Sequence, residues 1–114
     1  MLTMKIRIQP AEGAWVVRAG GAVIGESAEP LELIEENHLP VIYFPREDIA
    51  MELLEPSETR TRCPWKGEAV YFDVVAESGV IRDAAWSYET PLPGAERIAG
   101  HIAFHPNLVT LEEL

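Results

Sequence analysis

At 114 residues, with 47% hydrophobic and 25% charged side chains, the chain has the size and apolar content of one packed domain, residues 1–114, and is too apolar for a disordered segment. Nineteen acidic against nine basic side chains leave a formal charge of −10, which repels phosphate backbones and argues against duplex nucleic acid as a partner. The single Cys excludes an internal disulfide, no long apolar run offers a membrane span, and the start MLTMKIRIQP lacks the apolar core of a signal peptide, so a cytoplasmic location is expected.

Met4 to Gln9 alternates Met4, Ile6 and Ile8 with Lys5, Arg7 and Gln9, the period of a half-buried strand, and Pro10 ends it. Trp15 to Ala19 and Ala22 to Glu26 read as a hairpin around Gly20-Gly21, a pair that accepts the positive φ of a tight turn. Trp15 is read as a core or hairpin-packing residue. From Pro30, the run Leu31 to Asn37 fits a short helix, with Glu29 and Glu32 at its positive end, and fits a strand nearly as well. His38 reads as a loop residue, and Val41 to Phe44 as a strand buried on both faces.

Pro45-Arg46-Glu47-Asp48 follows at once. Its guanidinium and carboxylates suit a structural pair that pins the turn, with a ligand contact by Arg46 as the alternative. Glu47 to Leu54 is predicted as a short helix that buries Ile49, Met51 and Leu53 or Leu54 and closes at Pro56. A polar lead-in from Thr59 then reaches the turn Cys63-Pro64-Trp65-Lys66-Gly67, where Pro64 extends Cys63 and Gly67 can take positive φ. Beyond it Val70, Phe72 and Val74 fall on one side, with Ala69, Tyr71, Asp73 and Val75 on the other. Two largely apolar faces predict a central strand.

Glu77-Ser78-Gly79 turns the chain into a strand from Val80 to Tyr88, interrupted by Arg82 and Asp83, which must reach water or pair. Thr90 to Gly94 reads as an ordered loop, Ala95 to Ala99 as a helical turn, and Ile102 to Phe104 as a last strand before a tail that either adds an edge strand or frays. Candidate unpaired edges at Met4–Gln9 and Leu108–Leu111 would allow a two-fold homodimer.

The search for chemical motifs is mostly negative. GxGxxG, GK[ST], HExxH and CxxC are all missing, and His101 and His105 cannot make a site alone, so neither a metal nor a cofactor is expected. Cys63 is a candidate nucleophile if Arg60, Arg62 and Lys66 lower its pKa, but it lacks a local general base and reads more simply as a small, partly buried hydrophobe at the mouth of the turn. Asp48 is the other catalytic candidate. Among Asp48, Glu68, Asp73 and Asp83, no two are spaced to share one ion from a single strand.

For ligand binding, Tyr43, Trp65, Tyr71, Trp86 and Tyr88 offer flat amphipathic surfaces, and Arg46, Arg62 and Lys66 offer donors to an anion, with Cys63 beside them. The same aromatics could equally form the core. The residue types favour a module that binds a small, in one version anionic, ligand in an aromatic-lined cleft, ahead of an enzyme and ahead of a structural or interaction module. The Arg46/Asp48 turn and the Cys63–Gly67 turn are expected to share the rim of that cleft, because the strands Val41–Phe44 and Ala69–Val75 should both take the middle of one sheet. Asp48 and Glu68 would then be the internal partners of the cations.

Two long phrases carry a resemblance. PVIYFPREDIAMELLEPSETRTRCPWKGEAVYFDV, from Pro40 to Val74, and AAWSYETPLPGAERIAGHIAFHPN, from Ala84 to Asn107, resemble the DUF427 family of small bacterial and fungal domains. YFPRED, CPWKG, WSY and Ile102 to Pro106 are distinctive together, and the likeness runs from about Trp15 to Asn107. The resemblance implies a mainly β fold of small bent antiparallel sheets, like the β-tent or Mss4-like architecture, with one or two short helices. β-tent relatives outside the family use two Cys pairs to hold zinc; this chain has none, so packing must hold the fold. Some members carry a nucleotidyltransferase label, which implies nucleotidyl transfer as the enzymatic alternative beside Cys-dependent chemistry.

Overall fold

The computed structural model describes residues 6–114, so Met4 and Lys5 of the predicted first strand lie outside the described residues. In chain order the strands are β1 (Ile6–Pro10), β2 (Trp15–Ala19), β3 (Ala22–Ser27), β4 (Leu31–Glu35) and β5 (Val41–Tyr43). They continue with β6 (Leu54–Cys63), β7 (Gly67–Ala76), β8 (Gly79–Ser87), β9 (Ala103–Phe104) and β10 (Thr110–Glu113). All pairings are antiparallel, in three small sheets ordered β1-β4-β5, β10-β2-β3 and β6-β7-β8-β9. The expected mainly β fold is thus what forms, and no described helix is long and apolar enough to cross a membrane.

The first and third sheets are stitched together at one point. The Phe44 amide donates to the Ile102 carbonyl at 2.8 Å, and the Ile102 amide returns a bond to Phe44 at 2.9 Å. This seam sets β5 beside β9 and makes one bent surface with a core on each face. On one face, covered by β2 and β3, Val17, Ile24, Phe44, Phe72, Val74 and Phe104 pack, with the Phe44 and Phe104 rings edge-on at 5.8 Å. On the other, Leu33, Tyr43, Ala69, Tyr88, Ile98 and Ala103 pack beneath a single 3-10 turn, Glu96–Ile98. Strand β7 supplies both cores through its alternation, which explains its place between β6 and β8.

The interruption at Arg82 and Asp83 is a bulge. Asp83 takes φ 50°, and its amide donates to the Asp73 carboxylate at 2.8 Å. The register shift turns both Ala84 and Ala85 inward, while Asp83 accepts bonds from Ser57 and Thr59, each at 2.6 Å.

Several local expectations are corrected. The predicted helix over Glu47 to Leu54 is two 3-10 turns, Arg46–Asp48 and Met51–Leu53, because the intervening Ala50 amide donates to the Ile24 carbonyl at 2.8 Å and draws the chain into a bridge with β3. Pro56 does not close a helix; it lies within β6, an edge strand whose other side needs no proline amide. The ambiguous run after Pro30 is strand β4, and Ala95 to Ala99 holds only the one 3-10 turn. Most consequentially, Val41–Phe44 and Ala69–Val75 are not neighbours in one sheet: β5 pairs with β4, and β7 lies between β6 and β8.

Candidate functional site

Beyond the isolated Phe44–Ile102 bridge, β5 and β9 form no strand pairing with one another. Between them opens a cleft of about 470 Å³, within the size range of small-molecule sites. Leu39, Pro40, Val41 and Ile42 form one wall, Trp86, Phe104 and Pro106 the other, and Trp15 and Leu111 of the β10-β2-β3 sheet close it. Glu32 is the one charged side chain among the lining residues. At the mouth stands Leu39, 86% exposed.

The two indoles have their polar edges satisfied by the protein. Trp86 Nε1 donates to the Tyr43 hydroxyl at 3.2 Å, and Trp15 Nε1 donates to the Glu12 carbonyl at 3.2 Å. What each ring can still present is carbon surface. Trp86 is further fixed by Tyr43, edge-on at 6.5 Å, by Tyr71 at 6.4 Å and by His105 at 4.8 Å. A smaller depression of about 240 Å³ adjoins the cleft, shares Trp15 and Glu32 with it, and is lined also by Gln9, Glu12 and Glu113.

The cations take other places. Arg46 lies on the face of Phe72, 5.8 Å from the ring centre; its Nε donates to the Gly100 carbonyl at 2.9 Å, and Nη2 meets Glu89 at 2.6 Å and Ser87 Oγ at 3.4 Å. Lys66 lies on the opposite face, 3.1 Å from Glu35 and 5.7 Å from the centre of the Tyr88 ring. The shared rim expected for the two turns is therefore not formed, since each turn serves a different core. Glu89 and Glu35, not Asp48 and Glu68, are the internal partners.

A profile of known sequences matches residues 7–113, nearly the whole chain, to a domain of unknown function, DUF427. The chain belongs to the DUF427 family. No curated protein matches it. The matched span of this DUF427 domain includes every residue that lines the cleft and the adjoining depression.

Of the side chains singled out in the sequence, Tyr43, Cys63, Trp65, Lys66, Tyr71, Trp86 and Tyr88 do gather in or against the second core of the DUF427 domain. Only Trp86 also faces the cleft. Burial raises the Tyr43 and Tyr88 phenols well above the usual tyrosine range, so both are neutral hydroxyls at physiological pH. Cys63 is half-buried against this cluster, and two of the cations meant to activate it are engaged elsewhere: Arg60 with the carbonyls of Ser57 and Thr59, at 3.0 and 2.8 Å, and Lys66 with Glu35. Asp48 sits in the Arg46–Asp48 turn, away from Cys63's cluster and from the cleft lining. Hydrogen bonds from Ser57 and Thr59 hold Asp83 below the usual carboxylate range, a feature of the bulge. Among the described residues no three His, Cys, Asp or Glu side chains are placed to hold a metal ion.

Sequence patterning does not single out Trp15, Leu39, Pro106 or Leu111 as site residues. One signal is available: Leu39 is an apolar side chain in a polar loop, between His38 and Pro40, where no strand or helix pattern buries it.

Proposed function

We propose that this domain binds a small molecule with an apolar body in the cleft between β5 and β9. The observation that carries the reading is that the cleft stays open between two indoles whose N–H groups already donate to the protein, so its lining gains by excluding water and offers little to water in return. Tyr43 and Tyr71, candidate ligand contacts by residue type, act in this reading as the wall that fixes Trp86, and Tyr88 packs in the core behind them. Trp65 and Cys63 fill the same core. An anionic ligand has less support, because Arg46 and Lys66 would have to release Glu89 and Glu35 to reach it.

Titration of the intrinsic tryptophan fluorescence with a graded series of neutral aromatic and aliphatic alcohols tests this. Saturable binding is expected, with affinity rising with apolar area. Leu39→Asp, at an exposed position that carries no packing, should weaken it roughly tenfold by placing a charge at the mouth. Absence of saturable binding across the series, or binding indifferent to both Leu39→Asp and Trp86→Phe, would refute the reading.

A further inference from the structure

If the cleft is a ligand site, as proposed above, its electrostatics say which ligand. We infer that the ligand is an amphipathic cation, with its apolar body between Trp15 and Trp86 and an ammonium group at Glu32. Glu32 belongs both to the cleft and to the adjoining depression, where Glu12 and Glu113 also line the wall and Trp15 is again shared. The apolar cleft therefore borders, at Trp15 and Glu32, a depression rimmed by carboxylates. Gln9 Nε2 donates to Glu32 Oε1 at 3.1 Å, which fixes the carboxylate and leaves its second oxygen free of any protein donor among the described residues.

No cation pairs with Glu12, Glu32 or Glu113 among the described residues, whereas the adjacent Glu112 is paired with Arg18. Three carboxylates around one indole repel an anion and lower the energy of a cation placed between them. Trp15 adds to the same preference, because its N–H is bound to the Glu12 carbonyl and its π surface, the part that attracts cations, is what remains. The formal charge of −10 gives the distant field the same sign. Lys66 and Arg46, the cations that stand out in the sequence, line neither space.

Three probes on one skeleton separate this inference from the cleft itself: 3-phenylpropyl-trimethylammonium, its uncharged tert-butyl isostere, and 4-phenylbutanoate. The ammonium is expected to bind about tenfold more tightly than the isostere at low salt, with the advantage shrinking at physiological salt and the carboxylate weakest. Glu32→Gln should remove most of the advantage while the isostere still binds, which also shows that the variant is folded. Equal binding of ammonium and isostere overturns the charge assignment while leaving the apolar cleft intact. The charge assignment also fails if the carboxylate binds best, or if the ammonium keeps its advantage in Glu32→Gln. Failure of all three probes to bind overturns both readings.

Discussion

The ammonium of Lys66 lies 3.1 Å from the carboxylate of Glu35, and both side chains are largely withdrawn from water, at 12% and 17% exposure. The contact ties the Cys63–Gly67 turn to the end of β4, two segments that share no strand pairing. Removing one partner strands the other charge against the Tyr88 ring and the apolar cluster around it. Glu35→Leu should therefore cost about 2 kcal/mol, somewhat less than a fully buried pair because some exposure remains. The double variant Glu35→Leu/Lys66→Met should recover most of that loss. Urea denaturation of the single and double variants checks both statements, and a double variant no better than the single one contradicts the account.

Gly25 is required by closeness of approach. A Cβ at this position would land on the Ile49 Cδ1 methyl and sit 3.1 Å from the Asp48 carbonyl oxygen, at the bridge where the Arg46–Asp48 turn meets β3. Gly25→Ala is expected to destabilise the fold by about 1–3 kcal/mol, the usual range for overpacking. Combining it with Ile49→Val, which deletes the opposing methyl, should make the alanine less costly than it is alone. Thermal or chemical unfolding of the four proteins in the cycle measures that coupling.

Alkaline pH should unfold the protein through Tyr43 and Tyr88. Burial raises both phenol pKa values above the ordinary 10.0, so the folded chain keeps protons that the unfolded chain releases first. Their contribution is complete below about pH 10 and declines as the pH rises beyond it. The decline in stability with pH should be shallower in Tyr88→Phe. A near-ultraviolet titration should find these two phenolates appearing together with loss of the native fold. Their appearance in the intact fold near the normal tyrosine value would contradict the assignment.

Legibility from sequence follows the distance over which each feature is decided. Strand β7 is legible because Phe72 and Val74 alternate with Ala69 and Tyr71 within a few residues, and the β2–β3 hairpin because Gly20 and Gly21 mark it, with φ of 58° and 86°. Strand β6 is not, since its residues, LEPSETRTRC, carry no apolar alternation; it is a strand because β7 offers it an edge. The helix predicted before it fails for a related reason, since Ile49 is claimed by Gly25 across a bridge that no local pattern announces. The aromatics picked out by residue type share one core, yet Arg46 pairs with Glu89 and Lys66 with Glu35 through contacts set by the sheet order. The cleft itself draws Trp15, Leu39, Trp86, Pro106 and Leu111 from separate stretches, so its existence depends on where β5 and β9 diverge.

The seam between Phe44 and Ile102 also orders events in time. Hairpins β2–β3, β6–β7 and β7–β8 join neighbours across short turns, whereas the seam and the β10–β2 pairing bring together distant parts of the chain and must meet the loop-closure entropy before their contacts form. The hairpins are thus the expected folding nucleus, and the seam is a late closure. Truncating Ile102 to Val should then accelerate unfolding and leave refolding nearly unchanged, while Val74→Ala in β7 should slow refolding, a contrast that stopped-flow chevrons resolve. The part of the molecule that shapes the cleft is accordingly the part that arrives last, after the hairpins have already been built.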